Sequence, residues 1–125
     1  MKFFLSAGAI WAGLAVVLGA FGAHAFRASL EASGRFDTFE TAVRYQMYHA
    51  LALLAVGILL RQSPEITRWL NWAGWGFLAG SLIFSGSLYL ICLTGARWWG
   101  AVAPIGGLLM IAGWVAFLLA VYRSR

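Results

Sequence analysis

A small set of polar side chains interrupts stretches of this sequence that are otherwise apolar. His24 closes the first stretch, Gln46 and His49 open the second, Ser85, Ser87 and Tyr89 lie late in the third, and Pro104 lies near the start of the fourth. On a helix, Tyr45 and His49 are four residues apart and share a face, and Gln46 and His49, three apart, also neighbour one another. Ser85 and Tyr89 are also four apart, and Ser81 extends that line one turn deeper. Imidazole, amide and hydroxyl groups in apolar surroundings exchange hydrogen bonds. They also suit the carbonyl oxygens of a quinone, and imidazoles on two helices can ligate a haem iron. Hydrolysis is poorly served: no acid falls within this polar layer to orient His24 or His49, so a Ser-His-Asp arrangement lacks its third member. His24, His49 and Cys92 are conceivable metal ligands, but their spacing matches no fixed motif.

These residues sit in an unusual composition. Of 125 residues, 62% are apolar and 10% charged, against roughly 45–50% and ~25% in soluble domains. That excludes a disordered chain and a disulfide scaffold, and it leaves a soluble enzyme too few charges to solvate its surface. One Cys allows no internal disulfide. The net charge of +5 comes from basic residues scattered singly. That pattern fits membrane anchoring, and nucleic acid is not an expected partner.

Charge-free runs cover residues 3–26, 45–60, 69–96 and 98–122. A membrane-spanning helix needs about 20 apolar residues. The second run is short, but Asp37 and Glu40 have capping-pair spacing, which moves its start back to residue 38. Glu40 and Arg44 then form an i,i+4 pair. The spacing predicts spans at residues 3–26, 38–60, 69–94 and 99–122 of one membrane domain, 1–125. The fold class is all-α, an integral membrane four-helix antiparallel bundle. Ser63, Pro64 and Glu65 supply a cap, a first-turn proline and a first-turn acid for the third span. Trp69, Trp72 and Trp75 mark one membrane interface and Trp98 and Trp99 the other. The connection over residues 27–37 forms a short interfacial helix around Phe26, Arg27 and Leu30, ended by Ser33 and Gly34.

Lipid tails are as apolar as Leu, so spans associate through small residues. Ala15, Gly19 and Ala23, then Gly76 and Gly80, then Ala112, Ala116 and Ala120 beside Gly113, are the expected contact stripes. The same stripes are candidate faces for a homo-oligomer or a membrane-complex partner. In an up-down-up-down bundle the polar residues all fall toward one membrane face, leaving Asn71 nearly alone in the other half. His49 is expected to bond across helices to Ser85 or His24. Lys2, Arg61, Arg68, Arg123 and Arg125 fall at one end, and Arg27, Arg35, Arg44 and Arg97 at the other. The positive-inside rule then places both termini in the cytoplasm of an inner or plasma membrane protein.

Four segments carry a resemblance to a known family. They are Gly19-Ala20-Phe21-Gly22-Ala23-His24-Ala25, Tyr45-Gln46 with His49-Ala50-Leu51, Phe84-Ser85-Gly86-Ser87-Leu88-Tyr89, and Pro104-Ile105-Gly106-Gly107 with Gly113-Trp114. Together they resemble the bacterial domain of unknown function 423 family, also called YgdD-like, across nearly the whole chain. Phe26 stands where the family usually has Leu, and Val102-Ala103 where it has Ile-Thr. The resemblance implies a small multi-pass membrane protein related to the eukaryotic transmembrane protein 256. It implies no established activity.

The function expected is non-enzymatic: a structural, assembly or lipid-interacting subunit without a cofactor. His24, Gln46, His49, Ser85 and Tyr89 then form a polar staple. The alternatives are that these five residues bind a quinone or haem, or that the chain is an oligomeric carrier or channel subunit. Lys2, the apolar run and Ala23-His24-Ala25 also resemble a secretory signal with its cleavage site. The run is longer than a signal core and glycine-rich, so retention is expected. Intact mass of the purified protein is expected to include the first 25 residues; a mass starting after Ala25 would contradict a four-span bundle.

Overall fold

Hydrocarbon offers a peptide group no hydrogen bond, so a chain this apolar satisfies its backbone within helices. The computed structural model describes residues 2–124. It contains α1 (Lys2–Ala23), α2 (Arg27–Ala32), α3 (Phe36–Gln62), α4 (Thr67–Thr94) and α5 (Trp99–Arg123), with a 3-10 turn at Pro64–Ile66. No strand occurs among the described residues. α1, α3, α4 with its leading turn, and α5 are each long and apolar enough to cross a membrane.

The ends of these helices differ in detail from the sequence expectation. α1 stops at Ala23 because the chain turns there, with the Phe26 N–H donating to the Phe21 carbonyl at 2.8 Å. α2 forms where the interfacial helix was expected, with Leu30 buried and Gly34 at φ +73° turning the chain out of it. Asp37 does not cap α3. The helix has already begun at Phe36, with Arg35 at the cap position, so the Asp37 carboxylate complements the helix dipole from within the first turn. Ser63 holds the cap position before Pro64, but its side chain makes no capping bond. Glu40 and Arg44 do pair, at 3.2 Å.

Sequential long helices pack against one another: α1 on α3, α3 on α4, and α4 on α5. Their contacts run antiparallel. Gly8 lies against Ala50 and Gly22 against Phe39, while Gly76 meets Gly113 and Gly80 meets Gly106. The α4–α5 seam is backbone against backbone. A Cβ on Gly80 would sit 2.7 Å from the Met110 nitrogen, and one on Gly113 2.8 Å from Phe77 Cδ1. One on Gly106 would strike the Phe84 backbone. Phe77, Leu53, Leu70 and Val56 fill the space between the helices and are fully buried.

Two expected stripes shift. In α1 the buried small residues are Gly8, Ala15 and Gly22, seven apart, whereas a Cβ added at Gly19 would meet only Val43, at 3.4 Å. In α5 they are Ala103, Gly106, Gly113, Ala116 and Ala120, and Ala112 is exposed. The reason is geometric: a strict four-residue stripe drifts around the helix, while seven-residue spacing keeps facing a partner at a shallow crossing angle.

Replacing Gly106 by Val is expected to destabilise the bundle by about 1–3 kcal/mol through overpacking, read by thermal unfolding in detergent. Gly86, with nothing within 4 Å of its Cβ position, is the control. Gly86→Ala is expected to cause no loss of stability and to raise it by up to about 1 kcal/mol.

Candidate functional site: a closed polar network

α3 carries the centre of the site. Its helical repeat turns Ala42, Gln46, His49, Leu53 and Val56 inward, with Gln46 0% and His49 4% exposed. An amide in that position needs partners for both ends, because an unpaired buried polar group costs about 1–3 kcal/mol. Gln46 finds one on each side. Its Nε2 donates to the Trp11 carbonyl of α1 at 2.9 Å, and its Oε1 accepts from the Tyr89 hydroxyl of α4 at 2.6 Å.

Two serines of α4 extend the connection. The Trp11 Nε1–H donates to Ser81 Oγ at 2.9 Å, joining α1 to α4. Ser85 Oγ donates to the Ala42 carbonyl at 2.7 Å, joining α4 to α3. Each acceptor carbonyl already serves its own helix and uses its second lone pair here.

His49 reaches the remaining span. Its Nδ1 lies 2.8 Å from the Tyr45 carbonyl, and the Trp114 Nε1–H of α5 donates to its Nε2 at 3.1 Å. A carbonyl only accepts and an indole N–H only donates. The ring is therefore the neutral tautomer with its proton on Nδ1. Phe77 and Trp114 pack around it, their rings 4.5 Å apart between centroids. No buried side-chain nitrogen or oxygen among the described residues lacks a partner. Every buried atom of the network has a protein partner, and such a network ties helices together.

Of the five residues singled out in the sequence, Gln46, His49, Ser85 and Tyr89 come together and His24 does not. His24 is exposed in the turn after α1. His49 lies 13 residues into α3, roughly 20 Å of helical rise, so a residue at the end of α1 cannot reach its level. The His49 partner is Trp114 rather than Ser85 or His24. Ser87 is buried but bonds only within its own helix, to the Ile83 carbonyl. No three His, Cys, Asp or Glu side chains converge among the described residues, so His24, His49 and Cys92 do not form a ligand set.

Sequence reasoning missed Trp11 and Trp114, which carry two of the interhelical bonds. The signal was their position. Both lie well inside their spans rather than at the ends where aromatic belts form, and an indole N–H at that depth needs an acceptor. The outward side of the network borders a groove of about 200 Å³, where Tyr89 meets Leu18, Phe26, Leu30, Phe39 and Cys92.

Known proteins agree with this architecture. A sequence model described as "Protein of unknown function (DUF423)" matches residues 18–107. A UPF0382 membrane protein of Staphylococcus aureus (strain bovine RF122 / ET3-1) is 42% identical, over 98% of both chains. One from Staphylococcus saprophyticus is 44% identical over 98% of this chain and 99% of its own. One from Staphylococcus epidermidis (strain ATCC 35984 / DSM 28319 / BCRC 17069 / CCUG 31568 / BM 3577 / RP62A) is 43% identical over 98% of both. No solved structure matches. By the match over residues 18–107 and these near full-length relatives, the chain belongs to the DUF423 family of membrane proteins.

Proposed function

We propose that the chain is a non-enzymatic structural or assembly subunit of the bacterial inner membrane, in contact with lipid, and that its polar residues staple the bundle. The observation that carries this reading is the closure of the network: Gln46 and His49 spend every hydrogen-bonding atom on protein partners. A catalytic or ligand-binding histidine needs a nitrogen free for its substrate or metal. α1 is retained in this reading, since it supplies both the Trp11 indole and its carbonyl.

Both termini face the cytoplasm in the same reading. Lys2, Arg61, Arg68 and Arg123 stand at that end, and Arg125 lies outside the described residues. At the opposite end Arg27 and Arg44 are held by Glu31 and Glu40. Partners, whether a second copy or another membrane subunit, would meet the small-residue surface left open at Gly13 and Ala112.

A second reading, a small apolar ligand, has one observation in its favour: the groove beside Tyr89. Visible absorption and solvent extraction of the purified protein test it. The staple reading predicts neither a haem band nor a co-extracted quinone.

A double-mutant cycle tests the staple itself. His49→Phe and Trp114→Phe are each expected to lower the unfolding midpoint in detergent. The coupling between them should be about 0.6 kcal/mol, the average for interhelical hydrogen bonds in membranes, with ~1.7 as the upper end. If the variants keep parental stability and instead lose a bound small molecule, the site reading replaces the staple.

A further inference from the structure

At the end of the bundle where α4 begins and α5 finishes, two arginines converge on one indole. The Arg68 guanidinium lies 5.8 Å from the Trp69 ring centroid and 5.3 Å from that of Trp72, and the Arg123 guanidinium lies 5.3 Å from that of Trp69. Neither makes an ion pair among the described residues. The two pairs that do form, Arg27–Glu31 and Arg44–Glu40, are at the opposite end. With Glu65 and Trp69, Arg68 and Arg123 line an open groove of about 770 Å³. Two guanidinium groups near one ring, neither held by a carboxylate, leave positive charge in the groove for an anion to meet. Glu65 shares the groove but is not paired with either, and it reduces the local charge to a single positive unit. That balance suits a singly charged phosphodiester better than a polyphosphate.

We propose that this groove holds the headgroup phosphate of an anionic phospholipid, with Arg68 and Arg123 as its hydrogen-bond donors and Trp69 and Trp72 holding both guanidinium groups at headgroup depth. The planar guanidinium fork matches two phosphate oxygens at once. Basic pockets between spanning helices take acidic headgroups in the same way. Trp72 and Trp75, 55% and 53% exposed, continue down the outer surface of α4, where the acyl chains of such a lipid would run. The proposal rests on the lipid-contacting part of the function proposed above and not on the polar staple.

The test uses the full chain in neutral detergent. Native mass spectrometry compares binding of phosphatidylglycerol with phosphatidylcholine of the same acyl chains. Phosphatidylglycerol is expected to be retained preferentially. Arg68→Gln and Arg123→Gln are each expected to weaken it about fivefold, the share of one basic residue near a membrane surface. Arg97→Gln, at the other end, is expected to leave it unchanged. Equal retention of the two lipids by the parent protein overturns the proposal even if the variants fail to fold. So does retention indifferent to both arginine substitutions, or displacement by millimolar inorganic phosphate, which would make the groove a free-anion site. Unfolding midpoints in phosphatidylcholine alone report on the staple, so the two readings fail separately.

Discussion

Lipid tails leave the Gln46 amide nothing to bond with, and that constraint organises the molecule. An amide buried at the centre of four apolar rods must be met by groups from its neighbours, and the neighbours must hold still to meet it. Trp11 and Tyr89 do so from the helices on either side, and Ser81 and Ser85 lock those helices at neighbouring depths. His49 and Trp114 bring in the fourth. Dispersion between close-packed backbones supplies the attraction between helices, above all along the glycines of α4 and α5. It does not discriminate well between one register and the next. The hydrogen bonds do, because a slip of one turn would leave Gln46 and His49 unpaired. Glycine seams therefore explain why the helices associate, and the polar network explains why they associate in one way.

The architecture could be read from the sequence because it rests on composition and charge spacing, which are local properties. Runs without charge fix where spans lie. Gly34 and Leu30 fix the short helix between the first two. The candidate site was legible only in part. Gln46, His49, Ser85 and Tyr89 announce themselves as polar residues in apolar surroundings, but their partners do not, since half are backbone carbonyls that every residue possesses. Trp11 and Trp114 were hidden for another reason: tryptophan counts as apolar until its N–H is considered. His24 misled because closeness along the up-down path was read as closeness in depth, and it lies beyond the last turn of α1. The small-residue stripes erred around the helix axis rather than along it. Ala112 and Gly19 lie on four-residue lines, while the packed faces follow Gly8, Ala15 and Gly22.

The two ends of the bundle differ in how their cations are handled. At the α2 end, Arg27 and Arg44 each meet a glutamate along their own helix, in exposed pairs that contribute little to stability. At the end where α4 begins, arginine meets tryptophan, and positive charge is left over. A membrane protein with a satisfied interior and an unsatisfied rim directs its unspent interactions toward the surrounding lipid or a neighbouring subunit. That division suits a subunit whose work is done at its surface.

The protonation of one imidazole tests this account most directly. The nitrogen NMR spectrum of labelled His49 in lipid bilayers should show Nδ1 carrying the proton and Nε2 bare, with a through-space correlation from the Trp114 indole N–H to Nε2. A proton on Nε2, or a ring exchanging freely between tautomers, would mean that Trp114 does not donate to His49 and that the four spans are not joined as described.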